Sequence, residues 1–321
     1  MVAEAVSVAA PPRGLAAFRA YLAERFPVPV TAMLSIATAA ASYAAAQAAT
    51  LRVGDRLVLD VAALGGALLV FLFLFHLRVF DEHKDFAHDS ATRPDRPVQR
   101  GLITLGQLKV AGAITLALEA AIALQPGLAA GWWWVLPVGY SVLMGFEFFA
   151  KAWMERHFVV YAITHTLVML LVVLAIAARF TMRNADGFPV ELIGVGVMGL
   201  ASFFSVDVLR KTWAPESEID GVDSWSRLIG LRSAAVLGGA LLAIAGAAAS
   251  WVGLRLGGGY GWIATCAAVT AWGFWMLRGF VADPTVKREK LLQVVAGVHL
   301  LVVWIGVAVV AGIAHGVEMM R

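Results

Sequence analysis

The sequence holds one cysteine, Cys266, which excludes an intramolecular disulfide and any cysteine-based metal or redox centre. Charge is scarce too. Asp, Glu, Lys and Arg make up 15% of the 321 residues, while 60% are hydrophobic, against roughly a quarter charged in soluble domains. That balance excludes an ordinary water-soluble globule and fits a multi-spanning membrane protein, with membrane lipid as its surroundings. The net charge is only +3, and membrane orientation accounts for the basic residues, so no nucleic-acid partner is expected. Residues 1–10 lack a basic segment and contain Glu4. The first apolar stretch therefore reads as a retained span, not a cleaved signal.

What is present is a series of nine apolar segments, at 29–49, 57–80, 104–124, 131–150, 157–178, 189–208, 231–251, 258–280 and 290–314. Each is near the roughly 20 residues that cross a hydrocarbon core of about 30 Å, and lipid obliges such spans to be helical. The expected fold is all-α: a polytopic nine-helix transmembrane bundle over residues 29–321 with cytoplasmic cap loops. Residues 1–28, with Pro11, Pro12, Pro27, Arg13, Arg19 and Arg25, read as a cytoplasmic tail carrying an amphipathic segment at the membrane surface. Of the 25 Lys and Arg residues, six (Arg52, Arg56, Arg179, Arg183, Arg255 and Arg321) fall on one side of these spans and the rest on the other. The richer side, which includes the N-terminus, is expected to face the cytoplasm. For a bacterial chain this means the cytoplasmic membrane.

Orientation does not explain the acids on that face. Asp81, Asp85 and Asp89 recur every four residues directly after the second span, a spacing that stacks three carboxylates on one helix face. Like charges so placed repel unless a cation lies among them, and oxygen ligands of this kind suit Mg²⁺. Pro94 ends the helix, and Arg93, Arg96 and Arg100 follow in a proline-rich loop where guanidinium groups can clamp diphosphate oxygens. The competing explanation is a membrane helix whose end is merely solvated by charge. His83 and His88 fall off the aspartate face and read as solvated.

The stretch Asp81-Glu82-His83-Lys84-Asp85-Phe86-Ala87-His88-Asp89 resembles the N-D-x-x-D-x-x-x-D motif of UbiA-type intramembrane prenyltransferases, with Asp81 at the asparagine position. Arg96-Pro97-Val98-Gln99-Arg100-Gly101 is similar to the family's R-P-L-x-x-G segment. The resemblance implies a helical bundle whose cavity opens to lipid and whose cytoplasmic cap holds an isoprenyl diphosphate through Mg²⁺. It also implies a second motif, D-x-x-x-D, after span six. Asp207 stands there, but Lys211 occupies the place of the second aspartate, and acids resume at Glu216, Glu218, Asp220 and Asp223. Either Asp220 or Asp223 folds back to join Asp207 around a second metal, with Arg210 and Lys211 on the diphosphate, or Lys211 replaces that metal with a fixed charge.

Other polar residues in the spans have bland and functional readings. Glu147 and Lys151 form an i, i+4 ion pair, or Lys151 steers diphosphate. Glu119, His165 and His299 bond to neighbouring helices or take part in chemistry. Trp132, Trp133 and Trp134 read as interfacial anchors, and Phe71, Phe73 and Phe75 line a cavity or face lipid. The activity expected from the resemblance is Mg²⁺-dependent transfer of a prenyl group from an isoprenyl diphosphate to a lipophilic acceptor of aromatic or quinone type. Two rivals stand beside it: a terpene cyclase on the same scaffold, and a non-catalytic membrane protein or transporter.

Overall fold

The structure, a computed structural model, describes residues 13–52, 54–125, 131–154, 156–181 and 189–319. Residues 1–12 of the expected tail, and Arg183 and Arg321 of the orientation count, lie outside the described residues. Thirteen helices are described: α1 (Leu15–Arg25), α2 (Val28–Ala48), α3 (Val61–Lys84), α4 (Phe86–Thr92), α5 (Leu105–Leu124), α6 (Val135–Gly145), α7 (Lys151–Met154), α8 (Phe158–Thr181), α9 (Glu191–Arg210), α10 (Trp225–Ile229), α11 (Leu231–Arg255), α12 (Tyr260–Ala282) and α13 (Val286–His315). Seven of them, α2, α3, α5, α8, α9, α11 and α13, are long and apolar enough to cross a membrane. The chain is an integral, multi-pass membrane protein. Side chains that point outward, such as Val110, Ile114 and Leu118 on α5 or Val294, Val298, Ile305 and Val309 on α13, are apolar, as lipid contact requires.

The count of nine spanning helices is therefore corrected. The eighth segment is present as α12, 23 residues long, but its tryptophans and glycines lower its hydropathy. The fourth, expected over 131–150, is not one helix. A 3₁₀ turn, Trp132–Trp134, leads into α6, which has 11 residues and so rises about 17 Å. The chain then passes through Glu147, Phe148 and Phe149 at φ 49°, 52° and 57°, a left-handed run that L-residues enter only at a cost. The all-α expectation also misses two short parallel strands, β1 (Leu57–Leu59) and β2 (Val317–Met319), in the register Leu57 to Val317.

Helices α2, α8, α9 and α13 pack together at the centre, with Ala37, Ala41, Val173, Val195, Met198 and Trp304 in their shared core. On one flank are α3, α5 and α6; on the other, α11 and α12. The tightest packing, α9 on α11, depends on absent side chains. A Cβ on Gly194 would lie 2.6 Å from Trp251, and one on Gly238 would overlap Leu209. Small residues at such crossings let apolar helices approach where water supplies no driving force.

The two ends of the bundle are closed differently. At one, β2 lies beside β1, and Gln47 brackets Val58 with hydrogen bonds of 2.9 and 2.8 Å. At the other, α1 packs Tyr21, with Phe26 following it, against Phe75, Val79, Val98 and Leu108. Arg25 Nε donates to the buried Glu82 at 2.8 Å. The aspartate-bearing segment belongs to this second end.

Candidate active site

The four-residue spacing survives into three dimensions, but across a kink. α3 stops at Lys84, and Asp85 has φ −93°, ψ 2°. The N–H groups of Asp85 and Asp89 still reach the carbonyls of Asp81 and Asp85 at 2.9 and 2.8 Å. The three carboxylates thus stand on successive turns in unlike settings. Asp81 and Asp85 keep 42% and 41% of their side chains open, whereas Asp89 keeps 8% and is tied to Arg96. Burial raises the pKa of Asp85 above the usual carboxylate value; Lys84 opposes this, and the charges of Asp81 and Asp89 reinforce it.

Lys84 is the residue that sequence reasoning passed over. Its Nζ lies 3.7 Å from Asp85 Oδ1, 4.0 Å from Asp81 Oδ1 and 3.3 Å from Glu147 Oε1, and it donates to Tyr161 Oη at 2.6 Å. The left-handed turn at 147–149 delivers Glu147 to this position. That turn breaks the helix on which Glu147 and Lys151 were expected to pair, and Glu147 instead faces Lys84, with Lys151 exposed at the start of α7. His165 stacks on Tyr161 at 3.8 Å, accepts no bond at Nε2, and holds that atom 3.9 Å from Glu147 Oε2, which is also buried and unbonded. Tyr161 and His165 are one turn apart on α8, but no spacing rule links them to positions 84 and 147. Only the packing of α3, α6 and α8 joins them.

The second half-site begins at the end of α9. Asp207 pairs with Lys211 and Arg210, each at 3.2 Å, and accepts from the indole of Trp225 at 3.3 Å. Asp220 is fully exposed and pairs with Arg227; Asp223 is exposed as well. Glu218, not an aspartate, organises this loop: it accepts from the hydroxyls of Ser224 and Ser226. The two half-sites share a wall. Lys211 lies 5.2 Å over the ring of Phe158 and Lys84 5.0 Å over that of Tyr161, one turn apart on α8.

Of the three arginines after the first motif, Arg96 holds Asp89, and Arg100 bonds Glu24 of α1 and the carbonyl of Asp95. Arg93 has a buried Nε without a hydrogen-bond partner. Gly101, at φ +76°, turns the chain into α5, a conformation that favours glycine. His83 and His88 are exposed.

Deeper in the bundle, Glu119 accepts from Trp134 Nε1 at 3.0 Å and meets His76 Nδ1 at 2.7 Å, while His76 Nε2 meets Ser141 Oγ at 2.9 Å. All four residues are buried, so this network binds α3, α5 and α6 together. Of the tryptophan triplet only Trp132 is exposed; the anchor reading is corrected for Trp134, which this network holds inside. His299 meets Thr270 at 3.0 Å. Phe73 packs on Trp134, and Phe71 and Phe75 pack on Phe26, so all three serve the core.

Among the described residues no three His, Cys, Asp or Glu side chains gather as a ready-made metal cage. Mg²⁺ does not ask for one, because it keeps several waters and takes one or two carboxylates plus substrate phosphates. The open pair Asp81 and Asp85 fits that requirement. Asp81 already accepts from Arg78 at 2.9 Å, as Asp207 does from Lys211 and Arg210, but Asp207 is far less open and does not form an equivalent pair with Asp220 or Asp223.

No protein-family model matches the sequence, and no curated protein matches it. Two solved structures are similar in fold. A UbiA homolog from Aeropyrum pernix K1 superposes with a TM-score of 0.62 at 15% identity, over 87% of this chain and 98% of that one. The structure of a digeranylgeranylglyceryl phosphate synthase gives 0.60 at 16% identity, over 92% of this chain and 98% of that one. Across nearly the whole chain, then, the protein has the UbiA-type fold.

Proposed function

We propose that the protein is an intramembrane prenyltransferase, transferring the prenyl group of an isoprenyl diphosphate to a lipophilic acceptor of aromatic or quinone type. The observation that carries this reading is the half-open pair Asp81 and Asp85, flanked by Lys84 and Arg78 and set at the same bundle end as Asp207, with Arg96 on Asp89 and Lys211 on Asp207. Carboxylates for a divalent cation and fixed positive charges for phosphate oxygens are the two requirements of diphosphate departure. Asp81 and Asp85, with Asp89 behind them, would hold Mg²⁺, which supplies charge neutralisation as the allylic C–O bond ionises. Lys211 stands as a fixed charge at the second half-site, a role its pairing with Asp207 supports over a second metal held by Asp220 or Asp223. Arg210 and Lys151 sit at the rim, and Arg100 must leave Glu24 to reach the substrate. The excess of Lys and Arg on the cap and the N-terminus supports a cytoplasmic side for both.

The test is incubation of the purified protein with Mg²⁺ and allylic diphosphates of graded length, with and without quinone-type and phenolic acceptors. Diphosphate release with alkylated acceptor is the expected result. Release that yields only cyclic hydrocarbons would establish the cyclase instead, and no Mg²⁺-dependent release with any diphosphate would remove both enzymes.

A further inference from the structure

Lys84 sits where a cation between Asp81 and Asp85 would sit. Its side chain is 7% exposed, and four oxygens surround the ammonium within 4.0 Å: Asp81 Oδ1, Asp85 Oδ1, Glu147 Oε1 and Tyr161 Oη. Lysine side chains bordering water normally extend into it. Here the tail is turned inward, and three consecutive left-handed residues are spent to place a carboxylate against it. Glu147 is itself 9% exposed, and its second oxygen faces His165 Nε2, both atoms lacking a hydrogen-bond partner.

We propose that Lys84 is a tethered cation in the metal seat, and that it sets the order of loading: a divalent ion is refused until a diphosphate is present to share the positive charge. This rests on the reading of Asp81 and Asp85 as metal ligands. A lone divalent ion entering between these aspartates meets the ammonium at close range and a carboxylate pair already countered by Lys84 and by Arg78, which holds Asp81 at 2.9 Å. A diphosphate entering first meets the reverse, an ammonium ready to donate and aspartates whose repulsion the ammonium offsets. Once it is bound, its oxygens supply the negative charge and ligands that allow ammonium and metal to coexist, with Glu147 and Tyr161 keeping Lys84 in place. The consequence is that the protein carries no resident metal between turnovers.

The experiment compares the full-length wild type with the Lys84→Gln/Glu147→Gln double variant, in which the buried partner is neutralised together with the lysine, so that no unpaired charge remains to unfold the cap. Mn²⁺ binding is read by electron paramagnetic resonance, and metal-free inorganic pyrophosphate binding by filter retention in EDTA. The double variant is expected to bind Mn²⁺ alone at least tenfold more tightly than the wild type, and pyrophosphate alone at least tenfold more weakly. Equal Mn²⁺ affinity in the two proteins, or unchanged pyrophosphate affinity, overturns the inference while leaving Asp81 and Asp85 as metal ligands. If neither protein takes up Mn²⁺ even with pyrophosphate present, the metal reading falls and the inference with it.

Discussion

Asp85 and His83 stand two residues apart and differ in everything that matters for chemistry. Asp85 joins Asp81 beside the Lys84 ammonium, whereas His83 turns back to the carbonyl of Val79 at 2.8 Å and is exposed. Replacing Asp85 with Ala is expected to lower diphosphate release at least about a hundredfold, the scale at which electrostatic groups of an active site act, while His83→Ala leaves it within about twofold; a single assay of both variants decides. Glu147 carries a different burden. Glu147→Ala leaves Lys84 buried without its nearest carboxylate, and one-sided removal of a buried pair costs about 3 kcal/mol. Thermal unfolding in detergent should show that loss, and Lys84→Gln in the same chain should restore part of it, because the orphaned charge is then gone.

Between helices, the decisive contacts are those that pin one to another. Gly238 on α11 lets α9 come close enough for Leu209 to sit over it, two residues from Asp207. Gly238→Val forces the pair apart and is expected to destabilise by about 2 kcal/mol; it also shifts Asp207, so turnover should fall with stability. Leu209→Ala should relieve most of the stability loss, and a double-mutant cycle in thermal unfolding measures the coupling. The Trp134–Glu119–His76–Ser141 network does for α3, α5 and α6 what the glycines do for α9 and α11. Glu119→Leu strands two buried donors and is expected to cost about 2–4 kcal/mol, read in the same thermal assay.

At the scale of the whole molecule, the two closed ends differ in charge and in partners. The candidate site, α1 and the loop after α9 share one end, and β1 and β2 the other. The single cysteine, Cys266, is buried, so introduced thiols report sidedness cleanly. Ser90→Cys and Glu318→Cys, both at exposed positions, are expected to react with a membrane-impermeant maleimide from opposite sides. In inside-out vesicles Ser90→Cys should label and Glu318→Cys should not; the reverse pattern would overturn the orientation inferred from Lys and Arg, and labelling of both from one side would overturn the assignment of the two ends to opposite faces.

The sequence alone determined the membrane class, the helical architecture and the first half of the candidate site. Hydrophobic length and the four-residue aspartate repeat are local signals, and local periodicity survives folding even through the kink at Asp85. It did not determine the fourth span, where an apolar run long enough to cross was broken by a left-handed turn that composition does not register. Nor did it reveal that Lys84, Glu147, Tyr161 and His165 form one cluster. Lys84 ends α3, Glu147 stands in the turn after α6, and Tyr161 and His165 share α8; the contacts that join these three elements are between side chains far apart in the chain, which only their packing creates.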